Sequence, residues 1–521
     1  METNNNQMPQ YNNGSSAQAP QFNNVTPMPP TSAPTGNAEH FKKYGLLSLV
    51  FGLVYGFCLY NNHASITYPI FMAGALIILK LFRAKDGFSL LADCHGKKGL
   101  GVFYVVSLML LSIHRCMTTS SALEFLERLA IFLLFFSFIV YLYVDTTGFD
   151  IGAWFLSLLC AIFKPLEHLA RPISDHKAYK ITNGKIVDNE KKKTITAVFL
   201  GIAIAIPLLI IIIPLLCSAD LVFENFLSNI KFDFDISEDV YHGIMMFLTA
   251  LLGFWSAYTI ITSMVLKELR IKVKGEGTTN PVIAITFTSI IGLVYILFCA
   301  IQLLYLFSGS IALPEGYTYA EYAHEGFYQL LAVCILNIIM VSICQAFFSK
   351  SKVLKILLTL IATCTYIMIA SSAMRMILYV EVYHLTFLRL FVLWFLVVLC
   401  FWLAFLIASM YVKNFPVFRA CMVAITLAFL AFIYSNPDYQ IARYDLAAAE
   451  EQIDDYDSVK SYICYNLSYD AVPAIVDNEE LLTAFKTAHY SRDSEIYIDS
   501  KKFSGFRRFN ISYYIAKQYL K

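Results

Sequence analysis

Ten stretches of this chain are each long and apolar enough to cross a lipid bilayer, and no other property restricts its fold so tightly. A helix needs roughly 20 consecutive apolar residues to span the hydrocarbon core. The stretches are Tyr44 to Tyr60, Ile66 to Phe82, Leu123 to Tyr143, Thr194 to Leu216, Gly243 to Leu266, Val282 to Phe307, Phe327 to Phe348, Leu354 to Met374, Leu385 to Tyr411 and Pro416 to Tyr434. Lipid offers peptide groups no hydrogen bonds, so each run must satisfy its own backbone as a helix. Two further runs are ambiguous: Gly99 to Ile113 is short, and Gly148 to Leu169 carries Asp150, Trp154, Lys164 and Pro165. The expected fold is all-α, a polytopic transmembrane bundle of eleven or twelve spans with a small, mostly helical soluble tail at the C-terminus. Only 15% of the 521 residues are charged, against about a quarter in soluble domains.

Three regions follow. Residues 1–40 are rich in Asn, Gln, Pro, Ser and Thr, carry no apolar periodicity, and read as a disordered polar tail. Residues 41–434 hold the spans. Residues 435–521 have ordinary soluble charge density, with helical patterns over Leu446 to Cys464, Leu481 to His489 and Ser504 to Lys521. The 12 cysteines fall mostly within apolar runs and show no paired spacing for zinc or a redox couple. They read as small packing residues.

Lys and Arg in short loops mark the cytoplasmic side. The basic loops are Arg83 to Lys98, Lys164 to Lys193, Lys267 to Lys274, Lys350 to Lys355 and Lys413 to Arg419, whereas Cys217 to His242 and Ser308 to Gly326 are acidic. This pattern predicts a cell-membrane protein with a cytoplasmic N-terminus and an extracytoplasmic C-terminal tail. It also leaves only two of the three segments between Lys98 and Lys164 free to cross. Gly148 to Leu169 is then best read as an interfacial helix, with Trp154 at headgroup level.

Enzymatic fingerprints are missing: the sequence has no phosphate loop, no His-Glu-x-x-His, no nucleophile elbow and no Cys-x-x-Cys. No catalytic, cofactor-binding or metal-binding residue is assigned, and nothing in the pattern of basic residues points to nucleic acid. The spans are nearly free of ionisable groups at mid-depth. Gln302 and Asn337 are the main deep amides and are expected to join neighbouring helices.

Polar residues gather in three places separated by even numbers of crossings, and so on one membrane face. The first holds Glu321, Tyr322, His324 and Glu325. The second brackets a hairpin with Arg375, Tyr379, Glu381, Tyr383, His384 and Arg389. The third follows the last span with Asp438, Arg443, Tyr444 and Asp445. Arg375, Tyr379 and Tyr383 repeat every four residues and share one side of a continued helix. A guanidinium at the membrane boundary needs a partner, and Glu321 and Glu381 are the candidates. The cluster reads equally as a binding site or as a set of interhelical clamps and interfacial anchors.

These places also carry a resemblance. Tyr319-Ala-Glu-Tyr-Ala-His-Glu-Gly-Phe327, Ser372-Ala-Met-Arg-Met-Ile-Leu-Tyr379 with its continuation through Leu388-Arg-Leu390, Asn436-Pro-Asp-Tyr-Gln-Ile-Ala-Arg-Tyr444 and Ser468-Tyr-Asp-Ala-Val-Pro-Ala474 resemble the signatures of a bacterial polytopic membrane family. The family is known as domain of unknown function 4153/4173. His384 stands where its pattern leads one to expect glycine. The resemblance spans roughly Phe41 to Lys521 and implies a prokaryotic cell membrane and a shared architecture, but no activity.

Three functions compete. The leading expectation is a non-enzymatic envelope sensor or assembly protein that binds another membrane or envelope protein, besides the lipid bilayer itself, through the polar cluster and tail. A transporter is the alternative, weakened by the lack of mid-depth carboxylates and of an internal repeat. A lipid- or glycan-modifying enzyme using Glu321 or Asp438 as acid or base comes third.

Overall fold

The computed structural model describes residues 36–183, 237–266, 277–307, 319–451, 456–494 and 505–520, apart from positions 63, 94, 97, 147 and 414, together with scattered positions between 198 and 224. Side chains at 238, 305–307, 319–325, 450, 451 and 490–494 lie outside this description. The expected polar tail before residue 36, most of the Thr194 to Leu216 span and the loop preceding Tyr319 therefore fall outside the described residues.

The described chain is an all-α polytopic bundle. Its helices are α1 (Ala38–Leu59), α2 (Thr67–Lys85), α3 (Leu100–His114), α4 (Ser121–Tyr143), α5 (Ile151–Phe163), α6 (Arg171–Thr182), α7 (Glu238–Val265), α8 (Pro281–Phe307), α9 (Tyr319–Phe347), α10 (Lys352–Tyr383), α11 (Phe387–Tyr411) and α12 (Val417–Tyr434). In the tail follow α13 (Pro437–Glu451), α14 (Tyr456–Asn466), α15 (Glu479–Ser494) and α16 (Ile511–Tyr519). Among the described residues, ten helical stretches have the length and apolarity to cross a membrane. The chain is a multi-pass membrane protein.

Packing divides the bundle. One core joins α2, α3, α4 and α12, and a second joins α8 to α11. Alongside the first, α1 lies against α7 with glycines at the crossing. A Cβ at Gly52 would clash with the Ala250 carbonyl oxygen, and one at Gly56 would stand 2.7 Å from the Ala250 Cβ. Small residues let two backbones approach where lipid supplies no hydrophobic drive between helices. In the second core Asn337 donates to Thr365 at 2.9 Å and accepts from Tyr295 at 2.7 Å, while Ser371 donates to Gln302 at 2.8 Å. The deep amides thus join α8, α9 and α10, as the sequence led one to expect.

The bundle has two chemically distinct ends. At one, Lys43 meets Asp86 at 2.6 Å, His95 meets Asp145 at 3.0 Å and Arg419 donates to Thr146 at 3.1 Å. At the other, the connections at 60–66, 115–120 and 384–386 meet the C-terminal tail. Helix α3 runs between these ends, although its 15 residues reach only about 22 Å. Gly101 packs on the Leu91 carbonyl at one end, and the Cys116 carbonyl accepts from Ile511 N at the other.

The segment from α5 to α6 behaves differently. Asp145 before α5 contacts His95, and Asp175 within α6 accepts from Asn37 N at 2.8 Å and from Tyr258 at 2.8 Å, beside His40. Both flanks therefore belong to the same end of the bundle, even though Ile151–His168 is long and apolar enough to span. Trp154 donates to Ser137 at 2.9 Å and stacks on Phe418.

Candidate functional site

Helix α10 continues past its apolar run to Tyr383, so Arg375, Tyr379 and Tyr383 lie on one helix face. The chain then turns at His384, whose φ of +65° and ψ of 168° fall in a region nearly restricted to glycine. Thr386 caps α11 by accepting from Arg389 N. The Arg389 guanidinium folds back to donate to the carbonyls of Tyr383 and His384, groups left open where a helix ends. Its carbon also lies 4.3 Å from the Tyr379 ring centroid, and the Tyr379 and Tyr383 rings are 5.0 Å apart. Because the turn strains a β-carbon-bearing residue, His384→Gly should raise stability by about 1 kcal/mol. An unchanged or lower thermal midpoint in detergent would contradict that reading of the turn.

Beside this hairpin is a cavity of about 200 Å³ lined by Phe327, Tyr328, Met376, Tyr379, Thr386, Leu388, Arg389 and Val392. Arg375 lies across Gly326, where a Cβ would clash with its Nη1, so glycine gives the guanidinium its seat. Glu381 is exposed. The side chains of Glu321, Tyr322, His324 and Glu325 lie outside the described residues, although the α9 backbone carries these positions to the same end as the hairpin.

The third group separates from the second. Arg443 and Tyr444 are exposed, whereas Asp438 and Asp445 turn inward. Asp438 accepts from Ser468 N at 3.1 Å and Ser468 Oγ at 2.7 Å. Asp445 accepts from Leu385 N at 2.7 Å, and Tyr462 Oη accepts from Phe387 N at 3.2 Å, so the hairpin is stitched to α13 and α14. Burial pushes the Asp445 carboxyl up to about 6. Burial, then the neighbouring charge of Asp470, raises that of Asp438.

The principal anchor of the tail is Asp470, which sequence reasoning did not single out. It accepts from Thr118 Oγ1 at 2.5 Å, Thr119 N at 2.8 Å, Thr119 Oγ1 at 2.7 Å and Ser512 Oγ at 2.5 Å. Asn510 donates to Thr118 O at 2.8 Å and Ala64 O at 3.2 Å. Asn62 donates to Arg507 O at 3.1 Å, and Arg507 donates to Tyr60 O. Two connections of the bundle are thereby fastened to the far end of the chain.

Every string quoted for the resemblance falls within residues 102–478, and over that stretch the chain matches the family described as Domain of unknown function (DUF4153). It belongs to that family. The match leaves α1, α2 and the last two helices of the tail, α15 and α16, outside the DUF4153 stretch. No curated protein and no solved structure matches the chain.

Within the DUF4153 stretch lies a second feature absent from the sequence reading. Glu127 and Arg115 are both fully buried. Arg115 contacts Glu127 at 3.3 Å and Glu124 at 3.2 Å, while His114 contacts the other Glu127 oxygen. Tyr68 lies under the Arg115 guanidinium, and Tyr434 packs edge-on to His114. The group joins α2, α3, α4 and α12 beneath the tail. Among the described residues no set of three His, Cys, Asp or Glu is placed to hold a metal ion.

Proposed function

We propose that the chain is a non-enzymatic protein of the cell envelope, a sensor or assembly partner, whose recognition surface is the α10–α11 hairpin together with the C-terminal unit. The observation that carries this reading is the fastening of Asp470 to Thr118 and Thr119. A tail fixed to the helix connections converts binding at its surface into a change felt by the bundle, which a freely tethered tail would not do. In this reading residues 1–40 form a polar tail, 41–434 the membrane domain and 435–521 the soluble unit. Lys43, Lys85, Lys350, Lys352, Lys355 and Arg419 gather at the end opposite the tail. By the positive-inside rule that end is cytoplasmic and the tail extracytoplasmic.

Two exposed positions test the assignment in intact cells. A cysteine at Thr487 should react with an impermeant maleimide, whereas one at Lys413 should react only after permeabilisation. A photocrosslinker at exposed Tyr465 should then give a discrete protein adduct that one at lipid-facing Leu304 does not. Protection of Thr487→Cys, or identical adducts from both crosslinker positions, would refute the proposal.

A further inference from the structure

We infer that the cavity beside Arg389 is a binding site for a phosphate-bearing anion presented by a membrane phospholipid. The inference starts from the arrangement of its walls. Arg389, Thr386 and Tyr379 lie toward the hairpin, while Met376 and Val392 lie a turn deeper along α10 and α11. Leu388 is 59% and Tyr328 45% exposed. An exposed leucine and tyrosine at the end of spanning helices suit the membrane interface, and in this inference the mouth opens sideways at headgroup depth. Polar groups above an apolar floor match a headgroup above its acyl chains.

The charge at the site is available. Arg389 donates to two backbone carbonyls and lies against the Tyr379 ring. Among the described residues no carboxylate lies within ion-pair distance of it. Asp445, which feels its charge from beyond contact, is committed to Leu385 N. A guanidinium fork has five donors and suits the paired oxygens of a phosphodiester. A volume of about 200 Å³ is below that of a pocket for a drug-sized molecule. It accommodates a headgroup fragment whose remainder stays in the leaflet.

The inference takes the hairpin as part of the recognition surface, but the two ideas fail separately. Full-length protein in detergent, stripped of lipid, would be titrated with phosphatidylglycerol, phosphatidylethanolamine and inorganic phosphate and read by native mass spectrometry. Phosphatidylglycerol should bind about tenfold tighter than phosphatidylethanolamine. Arg389→Gln should remove that preference, Arg389→Lys should keep part of it, and exposed Arg443→Gln should leave it intact. Because Arg389 also closes α10, Leu388→Trp provides a second variant that obstructs the mouth without touching the charge, and it should likewise weaken phosphatidylglycerol. Equal affinity for the two lipids, or a preference that survives both Arg389→Gln and Leu388→Trp, would overturn the site. Arg389-dependent binding of inorganic phosphate without a lipid preference would make the ligand a soluble anion and overturn the lipid assignment. Tail crosslinks that persist when lipid preference is absent would sink this inference alone.

Discussion

Asp470→Ala is expected to release the C-terminal unit from the bundle while the spans stay inserted. The carboxylate serves four donors from two separate parts of the chain. Hydrogen bonds to a charged acceptor contribute about 1.5 to 3 kcal/mol each, and they are not additive. A loss of about 3 kcal/mol or more at the junction is therefore the expected scale. Asp470→Asn should be milder than alanine, because an amide oxygen in place of Oδ1 still accepts from Thr119 N, Thr119 Oγ1 and Ser512 Oγ while its NH2 meets Thr118 Oγ1, a hydroxyl that can accept. Hydrogen exchange is the measurement: residues 437–451 and 115–120 should lose protection together. If protection on both sides is unchanged, the contact is incidental and the proposed coupling of tail to bundle falls with it.

The same junction should respond to acid with a defined sign. Asp438 and Asp445 are both raised above the ordinary carboxylate range by burial. A raised folded-state value means that the folded form holds its proton more tightly than the unfolded form. The associated stability is fully present below the ordinary value and is lost as pH climbs through the folded value, about 6 for Asp445. Protection of α13 should accordingly increase between neutral pH and about pH 5.

How much of this was legible in the sequence depends on the range of the interaction. The spans were legible because the bilayer imposes a length and an apolarity that each segment satisfies alone. Helix ends were not. The apolar run ending at Met374 continues as helix to Tyr383, and the run starting at Phe327 begins at Tyr319. Outside the hydrocarbon a helix carries Arg375 or Tyr379 as readily as leucine, so hydropathy falls silent there. Of the polar residues predicted to cluster, Arg375, Tyr379, Tyr383 and Arg389 do share the hairpin. Asp438 and Asp445 instead turn into the tail, a distinction set by packing. Asp470 lies inside a quoted motif, yet its partners Thr118 and Thr119 are some 350 residues away. Nothing local could assign them.

The buried ionic group is the case in which a signal was present and went unread. His114 and Arg115 close α3, Glu124, Glu127 and Arg128 open α4, and only a short turn separates them. Complementary charges across so tight a hairpin can pair, although each taken alone looks like an interfacial anchor. Glu127→Ala would take from the fully buried Arg115 the fully buried carboxylate it contacts, and removing one partner of a buried pair typically costs about 3 to 5 kcal/mol. Arg115→Met alone should be similarly harmful, because Glu127 would keep only His114. Removing both charges at once, in Arg115→Met with Glu127→Met, takes away the desolvated pair and leaves Glu124 with Arg128, which contacts it already. The double variant should therefore be more stable than either single one, and a double-mutant cycle on unfolding in detergent reads the coupling directly. Simple additivity would show that these charges do not act on one another in the folded protein. A strong coupling would make the α3–α4 hairpin, with Asp470 fastened to its turn, the rigid element through which the C-terminal unit is held.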